Sequence, residues 1–188
     1  MTSPEHWSNA ELLACLFGAT KGAYRACEAS LDPLFAGTGE RWQGKGPALR
    51  EVMRRWLEEG LKRGEVLGQP DRVRDYLRLI FKGQPHESFW VLYLDAQHRL
   101  MVSEQLFRGT LTQTAVYPRE VLKAALRYNA AALLLAHNHP SGKAHPSTAD
   151  RQLTEVLKRA LELVDIKVLD HFVVAGPEMV SLAELGWV

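Results

Sequence analysis

"AALLLAHNHPSGKAHPSTADRQLTEVLKRALELV", residues 131–164, contains the change of hydrophobic period that decides the fold. Residues 131–137 form a continuous apolar run of strand length, and from Thr148 onward the apolar residues return at helical spacing. The intervening residues, 138–147, include Pro140, Ser141, Gly142, Pro146 and Ser147, the composition of a loop. Working outward, "IKVLDHFVVA" reads as a further strand and "PREVLKAALRY" as a helix with Pro118 in its first turn. "SFWVLYL" and "RLMVSEQLF", separated by "DAQH", read as the two strands of a hairpin. The order strand, strand, helix, strand, helix, strand predicts an α/β domain, one mixed sheet with flanking helices.

Before residue 84 the pattern is helical. Ser8 and Glu11 form a capping-box pair ahead of "NAELLACLFG", which ends at Gly18. "GKGPALREVMRRWLEEGLKRG" and "DRVRDYLRLIF" are two amphipathic helices, and "KGQPH" then breaks the period. The predicted organisation is a helical segment over 1–84 and an α/β domain over 85–188.

A chain of 188 residues with 46% apolar content is long enough to bury a core. No apolar stretch reaches the roughly 20 residues of a spanning helix, and the N-terminus lacks the features of a signal peptide. A cytoplasmic protein with no membrane partner is the expectation. Cys15 and Cys27 support neither a disulfide framework nor zinc-ligand spacing, so a metal here needs histidine and carboxylate. The net charge of +1 hides a basic middle: residues 41–82 carry eleven basic and six acidic side chains. That bias points to a polyanion partner, although solvated helix faces have similar compositions.

His137 and His139, two apart at the end of a predicted strand, share one face with Cα atoms about 6.6 Å apart. Two imidazoles so placed can converge on one ion. Asp150 becomes a third ligand if Pro140, Ser141 and Gly142 turn the chain back. A catalytic zinc ion (Zn2+) uses three protein ligands and leaves the fourth position to water. Ser147 and Asp150 equally match a helix capping box, which needs no metal. From the residues alone both readings stand.

The pattern His137-x-His139-Pro140, six residues, Ser147, two residues, Asp150 resembles the JAMM (MPN+) metalloprotease signature at every position. "FWVLYLDAQHRL", "LFRGTLTQTAVYPREVLKAALRYNAAALLLAHNHPSG" and "VLDHFVVAG" are similar to the RadC (UPF0758-type) family over nearly all of residues 85–188. The resemblance implies the layers of a JAB/MPN, cytidine-deaminase-like fold and zinc held by His137, His139 and Asp150. It also implies that Glu87, just ahead of the first strand, takes the proton of the attacking water, with Glu104 as competitor. Ser147 would by the same carry-over donate a hydrogen bond to the oxyanion. Asn138 stands where many deubiquitinating members have Ser or Thr, which puts a ubiquitin-like substrate in question. Asp170 and His171 also belong to the RadC-like pattern: a carboxylate there could orient a ligand histidine, or the pair could satisfy each other beside a sheet edge.

In RadC-like proteins the N-terminal part resembles a helix-hairpin-helix, and "GKGPALREV" is similar to its glycine-x-glycine turn. Such a turn offers backbone N–H groups to a phosphate, so DNA contact through residues 41–74 is one expectation and a helical scaffold the other. For the whole chain the leading expectation is a zinc-dependent hydrolase acting on a peptide or isopeptide bond. A DNA-associated metal-dependent nuclease and a non-catalytic repair or recombination accessory protein are the alternatives. A zinc base deaminase is excluded by the missing H-x-E and P-C-x-x-C motifs.

Overall fold

The computed structural model describes residues 7–18, 45–109 and 116–188. Cys27, Arg41 and Gly44 lie outside these residues. The chain divides into two compact units, 1–53 and 54–188.

In the first unit, α1 (Asn9–Phe17) starts as its sequence demands. The Ser8 side chain accepts the Glu11 N–H while the Glu11 carboxylate accepts the Ser8 N–H at 2.8 Å, and Gly18 closes the helix at φ 68°. Left-handed backbone of this kind is where glycine costs least. Helix α2 (Lys45–Arg63) begins in this unit and continues into the second. Lys45 and Gly46 are already helical and Pro47 sits in the first turn.

The second unit is an α/β layer structure. Helix α3 (Pro70–Phe81) is followed by β1 (Ser88–Leu94), β2 (Leu100–Arg108), α4 (Pro118–Arg127), β3 (Ala132–Asn138), α5 (Thr148–Glu162), β4 (Lys167–Ala175) and β5 (Glu178–Ser181). The strands form one sheet in the order β2-β1-β3-β4-β5, with β3 and β4 parallel and the other neighbours antiparallel. The expected mixed sheet with flanking helices is therefore present. The boundary placed near residue 84 separates helices from strands within this unit. Strand β5 was not anticipated: four residues after the Gly176–Pro177 turn are too few for an alternation to register.

Strand alternation divides the sheet into two buried faces. Phe89, Val91, Tyr93, Leu133 and Leu135 project to one side and pack against Val121, Ala124 and Ala125 of α4 and Leu157 and Leu161 of α5. On the other side Val73 of α3 lies beside Leu134 and Phe172, Phe81 meets Trp90 edge-on at 6.5 Å, and the Tyr76 hydroxyl donates to Ser103 Oγ at 2.8 Å. Covered on both faces, β3 is buried along its whole length, which explains why it is a continuous apolar run. No helix among the described residues is long and apolar enough to cross a membrane.

Candidate metal centre

Strand β3 delivers two histidines to the C-terminal edge of the sheet. His137 is its last residue but one, and His139 extends the ladder by donating its N–H to the Val174 carbonyl at 2.8 Å. The chain then reverses: the Gly142 N–H donates to the His139 carbonyl at 3.1 Å, with Gly142 at φ 80°. Buried Ala144 and Pro146 anchor the rest of the loop. Ser147 then caps α5, which carries Asp150 in its first turn back to the histidines.

The three expected ligands meet. His137 Nε2 lies 3.0 Å from His139 Nε2 and 3.2 Å from Asp150 Oδ1, and His139 Nε2 lies 3.6 Å from Asp150 Oδ2. A tetrahedral ion with contacts of about 2.0 Å separates its ligands by roughly 3.3 Å, so this spacing suits zinc. The hydrogen bonds behind the rings decide where the protons are. His139 Nδ1 lies 2.9 Å from the Lys143 carbonyl, which can only accept, so Nδ1 carries a hydrogen and the neutral ring offers its Nε2 lone pair. His137 Nδ1 lies 2.8 Å from His171 Nε2, and His171 Nδ1 lies 2.6 Å from Thr154 Oγ1, whose own hydrogen goes to the Asp150 carbonyl at 2.7 Å. Two imidazole nitrogens and a carboxylate brought this close need positive charge among them, either a proton on His137 or a metal cation. The donor set, two histidines and one carboxylate with a side open to solvent, fits a zinc ion that keeps a water position.

Burial pushes the Asp150 carboxyl up, but hydrogen bonding with His137, the His137 charge and two hydrogen bonds from Ser147 outweigh it and hold the group well below the usual carboxylate range. Burial, reinforced by repulsion from His137, pushes His171 well below the ordinary imidazole value and keeps it neutral. The capping box and the metal site share Asp150. Ser147 Oγ accepts the Asp150 N–H at 3.2 Å and donates to Asp150 Oδ2 at 2.7 Å, orienting the carboxylate toward the histidines. His145 is exposed and outside the cluster.

Glu87 is half-buried, two residues before Phe89, and Phe89 pairs with His137 across β1 and β3. Continued one residue beyond Ser88, the strand period would set Glu87 on the face shared by Phe89 and His137. Its neighbours are fastened by Asn138. Asn138 Oδ1 accepts the Ser88 N–H at 2.8 Å and the Ser88 hydroxyl at 3.0 Å, and Asn138 Nδ2 donates to the His86 carbonyl at 3.0 Å. Glu104, on β2, is held by Arg127 at 2.9 Å.

For Asp170 and His171 the structure separates the two side chains. Asp170 accepts the Ser181 hydroxyl at 2.6 Å and the N–H groups of Ala183 and His171, fastening the C-terminal turn on the far face of the sheet. It is His171, fully buried, that touches His137. Thr154 was missed in the sequence, although a signal existed: it is the polar member of the Asp150, Thr154, Leu157, Leu161 stripe that α5 turns toward the sheet.

Comparison with known proteins agrees with this geometry. A family profile described as the RadC-like JAB domain matches residues 67–187. The UPF0758 protein of Chromobacterium violaceum is 56% identical over 151 residues, 80% of this chain and 67% of that protein. The UPF0758 protein of Nitrosomonas europaea is 53% identical over 164 residues, 86% of this chain and 73% of that one. That of Leptothrix cholodnii is 53% identical over 174 residues, 93% of this chain and 78% of that one. With the profile match covering the sheet, its helices and the histidine loop, the chain belongs to the RadC family and carries that family's JAB domain, a JAMM-type metal-dependent fold.

Proposed function

We propose that the protein is a zinc-dependent metallohydrolase that cleaves peptide or isopeptide bonds with water as the nucleophile. The observation that carries this reading is the convergence of His137 Nε2 and His139 Nε2, 3.0 Å apart, on the Asp150 carboxylate. His137, His139 and Asp150 hold the ion. When bound, zinc lowers the pKa of a water to about 7 and polarises the scissile carbonyl.

Glu87 accepts the proton of the attacking water and delivers it to the amine as the C–N bond breaks, so the carboxylate is regenerated in each turnover. Asn138 keeps the backbone on either side of Glu87 in place through its three hydrogen bonds. The Glu104 pairing with Arg127 favours Glu87 as the base, because Glu104 is engaged away from the histidines. Exposed Ser147 turns its hydrogen from Asp150 toward the carbonyl oxygen as that oxygen gains charge. A cytoplasmic location and a DNA contact through residues 41–74 are separate proposals.

The test compares the zinc-loaded protein with Glu87→Gln and Glu104→Gln on peptide, isopeptide-linked ubiquitin-like, single-stranded and double-stranded DNA substrates. Glu87→Gln is expected to retain zinc by elemental analysis and lose turnover by about 10²- to 10⁴-fold, with Glu104→Gln near normal. Cleavage confined to DNA would replace this reading with the nuclease. Zinc binding with no cleavage of any substrate would replace it with the accessory protein.

A further inference from the structure

We propose that His171 and Thr154 are positioning residues: a one-way chain of hydrogen bonds from His137 through His171 to Thr154 fixes the His137 tautomer and presents its Nε2 lone pair to the ion. The inference rests on His137 being a zinc ligand, as proposed above.

The direction of the chain follows from its end. The Asp150 carbonyl has no hydrogen to give, so at 2.7 Å the Thr154 hydroxyl must donate to it. Thr154 Oγ1 then has only lone pairs to offer His171 Nδ1 at 2.6 Å, so Nδ1 bears the hydrogen. His171 is 0% exposed and packs edge-on against Phe89 at 5.6 Å, a place where a second ring proton would be a buried charge. Neutral and protonated at Nδ1, His171 accepts at Nε2 the hydrogen of His137 Nδ1, 2.8 Å away. In the neutral ring, His137 Nε2 is thereby left bare and aimed at His139 and Asp150. Reversing the chain would put lone pairs of the Thr154 hydroxyl and the Asp150 carbonyl against each other at 2.7 Å.

Three features make this a built arrangement rather than a chance approach. Thr154 and His171 are both 0% exposed, so water cannot substitute for either partner. The chain ends on the backbone of Asp150, itself a ligand, and so ties the first turn of α5 to the ring of His137. A neutral imidazole behind His137 leaves the ligand set with the single negative charge of Asp150, where a carboxylate would have added a second. A partner that orients a ligand histidine in this way typically contributes 10- to 100-fold to metal affinity.

The experiment uses the full chain, labelled with 15N, with Zn2+ as the probe, and reads the protonated ring nitrogens from long-range 1H–15N spectra. Zinc affinity is measured separately by competition with a chelator. His171 is expected to be protonated at Nδ1 and bare at Nε2, and added zinc to move the Nε2 signal of His137. Thr154→Val, which keeps shape and removes the hydroxyl, should mix the His171 tautomers and weaken zinc binding about 10-fold, and Thr154→Ser should restore both. His171→Ala should weaken zinc binding by 10- to 100-fold, and Thr154→Val decides the matter if that variant does not fold. Zinc that binds His137 while His171 is protonated at Nε2, or affinity unchanged in Thr154→Val, overturns this inference alone. Zinc that leaves His137 unmoved overturns the ligand reading and this inference together.

Discussion

Asn138→Ala tests how the segment carrying Glu87 is held. The Asn138 amide makes three hydrogen bonds, two accepted from Ser88 and one donated to the His86 carbonyl, and Asn138 and Ser88 are 5% and 1% exposed. At about 1 kcal/mol net for each bond, removing the amide costs about 3 kcal/mol. The buried Ser88 N–H is the group left without a substitute, because the hydroxyl can rotate to another acceptor and the N–H cannot. For a chain of this length each kcal/mol lowers Tm by about 2–4 °C, so the expected drop is about 6–12 °C in thermal denaturation with chelator present. The same variant should keep its zinc stoichiometry, since none of the three ligands touches the amide, while the Ser88 amide exchanges faster with solvent. Under the proposed mechanism turnover falls through kcat, because Glu87 is displaced while the ion remains. A Tm within 1 °C of the parent, with Ser88 still protected from exchange, would show that Asn138 does not carry this segment.

Two further predictions concern charge. Asp150 titrates well below the ordinary carboxylate value of about 3.9, so its contribution to stability is complete above that pH and is lost as the pH falls through the lower folded value. In chelator, Asp150→Asn should therefore lose stability less steeply than the parent below about pH 4, and parallel curves would sink the assignment. If residues 41–74 bind DNA, the affinity should tolerate sequence, survive chelator and weaken with salt, and replacing Lys45, Arg50 and Arg54 by alanine should flatten the salt slope by up to about one unit for each phosphate no longer neutralised. Glu58 pairs with both Arg54 and Lys62, and Glu59 with Arg63, so the expected slope is small, and absence of binding at low salt would leave the segment as scaffold.

What could be read from the sequence was what is local in it. The switch from helical period to strand period near residue 84 showed where the sheet starts, and Pro118 marked a first turn that the structure contains. Ser8 with Glu11, and Ser147 with Asp150, announced capped helices because both partners of a capping box lie within one turn. His137, His139 and Asp150 were legible for the same reason: a strand end, a tight turn and a first helical turn bring together residues only thirteen positions apart. The apparent conflict between capping residue and metal ligand dissolves in three dimensions, since Asp150 uses Oδ2 for Ser147 and turns Oδ1 toward His137.

The choice between Asp170 and His171 was not legible, and its cause is a single irregularity in strand pairing. Along β3 and β4, Leu133 pairs with Val168 but Leu134 pairs with Asp170, so Leu169 is an extra residue in β4. In a regular ladder Asp170 would have stood beside Leu135, on the face of the sheet that carries His137, and His171 would have faced the other way. The bulge exchanges them. It brings His171 against His137 and sends Asp170 to Ser181 and the C-terminal turn, where burial raises the carboxyl pKa against the hydrogen bonds from Ser181, Ala183 and His171. A bulge re-aims a side chain at the cost of one ladder position and leaves no mark in the hydrophobic pattern, because Val168, Leu169, Phe172 and Val173 are apolar in either register. Which of two adjacent polar residues serves the ion is therefore set by the backbone of β4, and the neutral partner is the one delivered.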